Sequence, residues 1–81
     1  MTSFEKYRLL DIIWGHSRDY TVSMYSMPKV CSEILRLLSN MGYHTEILPG
    51  DRSSKIIQVD DQRFRIVRNK GWNQYDVVLV D

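Results

Sequence analysis

The spacing of apolar residues changes at Gly42, and this change most restricts the folds open to the chain. Before Gly42, apolar residues recur at helical spacing and mark one face of a helix: Val30, Ile34, Leu37, Leu38 and Met41. After Gly42, four strand-like segments are separated by turn-forming residues: residues 43–48, 55–59, 63–67 and 74–80. Helical segments followed by a run of strands predict an α+β domain.

Capping signals set the ends of two helices. Thr2 followed by Glu5 is a capping-box pattern, which predicts that a helix begins there. In this first helix, apolar residues form two stripes and leave only a narrow polar wedge before Gly15, so we expect burial inside the domain or partly against another chain. Ser26 can cap the second helix, with Pro28 in its first turn.

The remaining segments complete the predicted order of elements. Alternation between Asp19 and Tyr25 predicts a short strand between the two helices. The segment from Tyr75 to Val80 is apolar on both faces apart from Asp76, which predicts a strand inside the sheet. Gly71 is expected to take the positive φ of the last turn. The prediction is one α+β domain over residues 1–81, in the order α-β-α-β-β-β-β, with a mainly antiparallel sheet of four to five strands and the second helix packed on one sheet face.

Composition narrows the class of protein further. A chain of 81 residues with 43% hydrophobic and 26% charged residues fits one small globular domain. The single cysteine, Cys31, cannot form an internal disulfide, which favours a cytoplasmic location. The longest uncharged apolar runs have about four residues against the roughly 20 needed to cross a bilayer, so no membrane association and no secretory signal are expected.

No pattern for catalysis or for a cofactor is found. The possible metal ligands do not have the spacing of a metal site: His16, Cys31, His44, Asp60 and Asp61. The four glycines are isolated, so no phosphate-binding loop is present. Cys31 lies beside the apolar stripe of the second helix and is expected to pack in the core. These observations predict a protein that is not an enzyme and that has no metal and no cofactor.

The strongest local asymmetry is one of charge. The net charge is +1, yet residues 62–72 contain four basic residues and no acid: Arg63, Arg65, Arg68 and Lys70. On a strand, Arg63 and Arg65 share one face while Arg68 points to the other. Trp72 and Tyr75 lie nearby in the sequence. Exposed aromatic residues, for which Tyr20, Tyr25, Tyr43, Trp72 and Tyr75 are candidates, would mark a partner site.

Three interpretations of this basic hairpin remain open. Arginine and aromatic residues are enriched in protein interfaces, they also bind phosphates and bases, and they occur on ordinary solvated sheet faces. We favour a protein-binding module, a small intracellular adaptor or inhibitor of the kind carried by phages and mobile elements, which covers the acidic surface of a larger protein. Its binding residues would be Arg63, Arg65, Arg68, Lys70, Trp72 and Tyr75. The alternative is nucleic-acid binding through residues 62–72, and pairing with a second copy is expected through an edge strand or the first helix.

Overall fold

A computed structural model describes residues 1–51 and 53–80 and contains two helices and a four-stranded sheet. The helices are α1 (Ser3–Ser17) and α2 (Met27–Asn40), and the strands are β1 (Thr45–Leu48), β2 (Ser54–Val59), β3 (Gln62–Asn69) and β4 (Gln74–Val80). The strands pair in the order β1-β2-β3-β4, and each neighbouring pair is antiparallel. The predicted α+β fold class is therefore confirmed.

The helix ends follow the capping signals in the sequence. The hydroxyl of Thr2 accepts a hydrogen bond from the main-chain N–H of Glu5 at 3.1 Å, and Ser26 caps α2 in the same way. The carboxylate of Glu5 does not return to the cap but accepts a hydrogen bond from the hydroxyl of Tyr43. Gly42 follows α2 with φ of 96°, the left-handed conformation that stops a helix.

Both helices pack on one face of the sheet, with α1 against β4 and α2 against β1 and β2. The helices contribute six fully buried apolar side chains to the core: Leu9, Ile13, Val30, Cys31, Ile34 and Leu38. The sheet contributes side chains that alternate along β2, β3 and β4: Ile57, Val59, Phe64, Ile66, Tyr75 and Val77. The predicted packing of α2 on a sheet face is confirmed, although Leu37 is only half-buried and Met41 is exposed.

The strand predicted between Asp19 and Tyr25 is wrong, and the order of elements is α-α-β-β-β-β. The main-chain oxygen of Thr21 accepts hydrogen bonds from the N–H groups of Met24 and Tyr25, so the segment folds into a turn. Tyr20 and Val22 pack against the core, Thr21 is half-buried, and Met24 is 75% exposed. The alternation therefore accompanies core contact only at Tyr20 and Val22, and no strand within residues 1–51 and 53–80 pairs with this segment.

Two predictions about β4 are also wrong. β4 lies at the edge of the sheet and not inside it, because β3 is the one strand within residues 1–51 and 53–80 that pairs with it. α1 covers its apolar inner face, whereas Val78 on the outer face is 46% exposed, so apolar residues on both faces do not mark a central strand here. In the turn before β4, the positive φ of 52° belongs to Asn73 and not to Gly71. Asparagine tolerates this conformation better than most residues because its short side chain bonds locally.

Within residues 1–51 and 53–80, neither helix has the length and apolar character that crossing a bilayer requires.

Candidate functional site

The six residues predicted to bind a partner lie in three different places. Arg63 and Arg65 lie on the sheet face opposite the helices, whereas Arg68 pairs with Tyr75 on the helix side. Lys70 and Trp72 lie in the turn between β3 and β4. The predicted division of the β3 arginines between two faces is confirmed. The six residues therefore cannot act as one continuous surface.

Tyr75 is not an exposed residue, which corrects its predicted place in an aromatic surface. Its side chain is fully buried. The main-chain oxygen of Tyr75 accepts a hydrogen bond from the hydroxyl of Ser17 at 3.1 Å, so α1 covers this part of β4. Its own hydroxyl donates to the main-chain oxygen of Tyr25. Tyr75 thus links the loop between α1 and α2 to strand β4.

Arg63 and Arg65 are already engaged by neighbours on the open sheet face. The Nε of Arg63 donates to the side-chain oxygen of Gln58 at 2.8 Å, and Arg65 donates to the hydroxyl of Ser54 at 3.3 Å. Arg65 lies between Ile56 and Val78 in one cross-strand row. Aliphatic arginine stems that cover apolar neighbours are typical of a solvated sheet face.

A more compact cluster forms where the loop between α1 and α2 meets the turn between β3 and β4. The main-chain N–H of Ser23 donates to the side-chain oxygen of Asn73 at 2.8 Å. This bond brings together the residues that flank it, and we call the resulting group the hairpin-end surface: Met24, Tyr25, Lys70 and Trp72. Trp72 is 77% exposed and Met24 is 75% exposed, which are large fractions for apolar side chains.

The hairpin-end surface has internal supports. The ring of Tyr25 packs edge-on against that of Tyr20 at 4.9 Å, and the main-chain oxygen of Tyr25 is held by the Tyr75 hydroxyl. The N–H of Trp72 donates to the side-chain oxygen of Asn69 at 3.2 Å. The backbone that carries these exposed side chains is therefore fixed before any partner binds.

Tyr25 is followed in the chain by Ser26, which lines a cavity of about 550 Å³ at the start of α2. Ser26, Met27 and Pro28 form one wall, and Lys55 and Arg68 bring two positive charges to it. The Nε of Arg68 is buried and has no hydrogen-bond partner among the described residues. The positive end of the α2 dipole adds to the field of the two cations.

Asp51 is the acidic residue at this cavity, and its charge is already stabilised. Hydrogen bonds from the hydroxyl and main-chain N–H of Ser53, and then from those of Ser54, lower the pKa of the Asp51 carboxyl. The distances of these bonds are 2.8 to 3.2 Å. The serine donors direct the Asp51 carboxylate toward its own loop, while Lys55 and Arg68 give the cavity its excess of positive charge.

Sequence reasoning missed Met24 and Lys55. Met24 was assigned to a strand, and Lys55 lies outside the basic hairpin at residues 62–72. The capping pattern of Ser26 and Pro28 marks a helix N-terminus, which is a signal for positive potential. The register that pairs Lys55 with Ile66 places its side chain on the helix side of the sheet, and no local pattern specifies that register.

The predicted metal candidates do not converge. Within residues 1–51 and 53–80, no group of three His, Cys, Asp or Glu side chains is placed to hold a metal ion. His16 lies in the last turn of α1 beside Tyr20, and His44 is exposed just before β1. Cys31 is buried in the core as predicted, and burial raises the pKa of its thiol to about 11.

Comparison with protein-family models, with curated proteins and with solved structures finds no match.

Proposed function

We propose that this chain is a protein-binding module that docks an acidic segment of a larger protein through the hairpin-end surface and the adjoining cavity. The observation that carries the proposal is that the hydrogen bond from Ser23 to Asn73 joins the two segments that carry the largely exposed side chains of Met24 and Trp72. The first of these segments leads directly into the start of α2, where Lys55 and Arg68 line a cavity. The module would act by covering the surface of its partner, as an adaptor or an inhibitor does.

The apolar residues would supply most of the affinity. Tryptophan, tyrosine and arginine are enriched among the residues that dominate binding energy, and such residues work best where water is excluded around them. The hydrogen bond from Ser23 to Asn73 and the support of Tyr25 by Tyr75 hold the surface in place. A preorganised surface loses less conformational entropy on binding than a mobile one.

The cations would select an acidic partner. Lys55, Arg68 and Lys70 lie at the same end of the molecule as the N-terminus of α2, and positive potential there attracts carboxylates and speeds encounter. Lys55 and Arg68 line the cavity and form no ion pair within residues 1–51 and 53–80, so a carboxylate from outside would be needed to neutralise them. A glutamate or aspartate side chain of the partner would meet that need.

The division of the β3 arginines between two faces argues against nucleic-acid binding through residues 62–72 as one continuous surface. Binding to a phosphate backbone uses several cations on one face. Here Arg63 and Arg65 lie on the open sheet face, hydrogen-bonded to their neighbours, while Arg68 lies on the other side.

The proposed site of action is the cytoplasm, and the single buried thiol of Cys31 is consistent with that location. Adaptors carried by phages or other mobile elements are one class of protein into which such a module would fit.

The test is a selection of peptides from a random display library on the immobilised chain, followed by affinity measurements on the selected peptides. We expect sequences that combine acidic residues with apolar ones. Because Trp72 is the largest apolar side chain of the surface and is 77% exposed, Trp72→Ala should weaken binding about thirtyfold, which corresponds to about 2 kcal/mol. Arg68→Gln should weaken binding as well.

Arg63→Gln is the matched control, since it removes a basic residue from the open sheet face and should leave the affinity unchanged. Selected peptides without acidic residues, or full binding by the Trp72→Ala variant, would contradict the proposal. Titration with random duplex and single-stranded DNA over a range of salt concentrations tests the alternative function. Tight binding with a steep salt dependence would favour nucleic acid.

A further inference from the structure

α1 carries a second apolar stripe that the domain leaves uncovered. Leu9 and Ile13 on its inner side are fully buried. On the opposite side, Phe4 is 79% exposed, Tyr7 is 57% exposed and Trp14 is 48% exposed. At 3.6 residues per turn these three rings lie within about a quarter of a turn of one another. A helix in contact with water on this side would normally carry polar residues there.

A groove lies beside the N-terminal half of the stripe, and the ring of Trp14 lies toward its C-terminal end. A groove of about 470 Å³ runs along the first half of α1, beside Phe4, Tyr7, Arg8 and Asp11. Trp14 lies one turn beyond it. Next to Trp14, Gly15 has open space where a side chain would extend, so another helix can approach closely there. The groove and the tryptophan together form a self-complementary surface.

The charges on the stripe are self-complementary as well. Arg8 and Asp11 are exposed, lie one turn apart on the same side of α1, and form no ion pair within residues 1–51 and 53–80. If two copies pair with their helices antiparallel, Arg8 of each copy approaches Asp11 of the other. A parallel arrangement would set arginine against arginine and aspartate against aspartate, which is unfavourable.

We infer that two copies of this chain pair through α1 in an antiparallel, two-fold symmetric dimer. With the symmetry axis at the level of Leu9, Phe4 of one copy lies opposite Trp14 of the other, so that each tryptophan enters the groove of its neighbour. Both contacts occur twice, as two-fold symmetry demands. This surface is separate from the hairpin-end surface, so a dimer could still present two docking sites.

The surface area that the two copies can bury limits the size of the dimer interface. A standard interface buries about 800 Å² on each partner, and a fully buried aromatic side chain contributes about 150–250 Å². Three partly exposed rings supply roughly half of that standard area, and Arg8, Asp11 and the helix backbone near Gly15 add the rest. The interface should therefore be no larger than a standard one, a class whose dissociation constants extend up to the micromolar range.

Sedimentation equilibrium of the 81-residue chain across the micromolar range tests the inference. We expect a concentration-dependent dimer, and Trp14→Ala should raise its dissociation constant at least tenfold, by the loss of a central aromatic side chain. Trp72→Ala, which changes the other tryptophan, should leave the dissociation constant unchanged. A wild-type chain that stays monomeric, or a dimer that is insensitive to Trp14→Ala, would overturn the inference.

A charge-reversal experiment tests the antiparallel arrangement without touching the aromatic residues. Arg8→Asp and Asp11→Arg each set like charges together, so each variant alone should dimerise roughly tenfold more weakly than wild type. An equal mixture of the two variants should form a mixed dimer with nearly wild-type affinity, because both ion pairs are then restored. A mixture no tighter than the single variants would overturn the pairing of Arg8 with Asp11.

The experiments test the dimer and the proposed docking function separately. Loss of dimerisation in the Trp14→Ala variant with unchanged peptide affinity would leave the hairpin-end surface as the partner site. Loss of peptide binding in the Trp72→Ala variant with unchanged sedimentation would leave the dimer intact.

Discussion

The guanidinium group of Arg18 lies 3.1 Å from a carboxylate oxygen of Asp76, and this ion pair joins the residue after α1 to the edge strand β4. The same nitrogen donates to the main-chain oxygen of Tyr75 at 2.7 Å, and the guanidinium plane lies 4.1 Å from the ring centre of Trp14. Both partners in the ion pair are half-buried. Arg18 therefore holds the end of α1 against the sheet.

Removing this link should destabilise the domain. We expect Arg18→Ala to lower the free energy of unfolding by about 1–3 kcal/mol, because charge-assisted, partly buried hydrogen bonds are lost. Arg18→Lys should recover only part of this stability, since an ammonium group cannot reproduce the planar contacts of a guanidinium. Urea unfolding measures both effects. Arg36→Ala removes the exposed pair with Glu33 and is the control, with little effect expected.

Acidification should weaken the domain through Asp76. Burial by itself would raise the pKa of Asp76, but hydrogen bonds from Asn69, Arg18 and Gln74 outweigh burial and hold that pKa below its ordinary value. Because the pKa is lowered in the folded state, the carboxylate contributes stability at pH values above its unfolded pKa of about 3.9. This contribution is lost as the pH falls through the lower, folded-state value.

The Asp76→Asn variant provides the check on this pH dependence. It should be less stable than wild type at pH 7, and the difference should narrow below about pH 4, where the unfolded carboxyl is protonated. Urea midpoints measured between pH 7 and pH 2 give the comparison. A constant difference over this range would show that the Asp76 carboxylate does not couple folding to protonation.

On α2, substitution of Leu38 should lower the free energy of unfolding far more than substitution of Leu37. Leu38 is fully buried, whereas Leu37 is half-buried. Leu38→Ala should cost about 2–5 kcal/mol, a large part of the 5–15 kcal/mol typical of a whole domain. Leu37→Ala should cost clearly less. Thermal unfolding of both variants measures the difference, and a larger loss for Leu37→Ala would contradict the packing described above.

The thiol of Cys31 should react very slowly in the folded chain. Burial raises the pKa of its thiol to about 11, so the reactive thiolate is scarce at neutral pH. An aromatic disulfide reagent should therefore label the native chain more than about a hundredfold more slowly than the chain in denaturant. Absorbance of the released thiol follows both reactions. Rapid labelling of the native chain would place Cys31 at an accessible site.

The local elements of this protein follow from its sequence. Thr2 and Ser26 cap the helices where the capping pattern predicts, β4 has the predicted bounds of residues 74–80, and the arginines of β3 divide between two faces. These features depend on the conformations of neighbouring residues and on the direction of successive side chains. The direction of side chains repeats every two residues in a strand and about every 3.6 residues in a helix, so it can be seen in the sequence.

The sequence pattern failed where burial, and not local conformation, produced it. Tyr20 and Val22 alternate with polar neighbours because they contact the core, although their backbone forms a turn. Tyr75 was predicted to be exposed, but α1 covers it. A period of two in the sequence records which side chains avoid water, and it does not identify the element that excludes the water.

The sequence by itself determined the two helices with their capping residues, the four strands after Gly42 and the absence of any internal disulfide. Only the tertiary structure placed β4 at the sheet edge, Trp72 beside Met24, and Lys55 with Arg68 at one cavity. It also left the aromatic stripe of α1 uncovered. The physical reason is that these arrangements depend on strand pairing and helix packing between distant residues, whose free energies a local pattern does not contain.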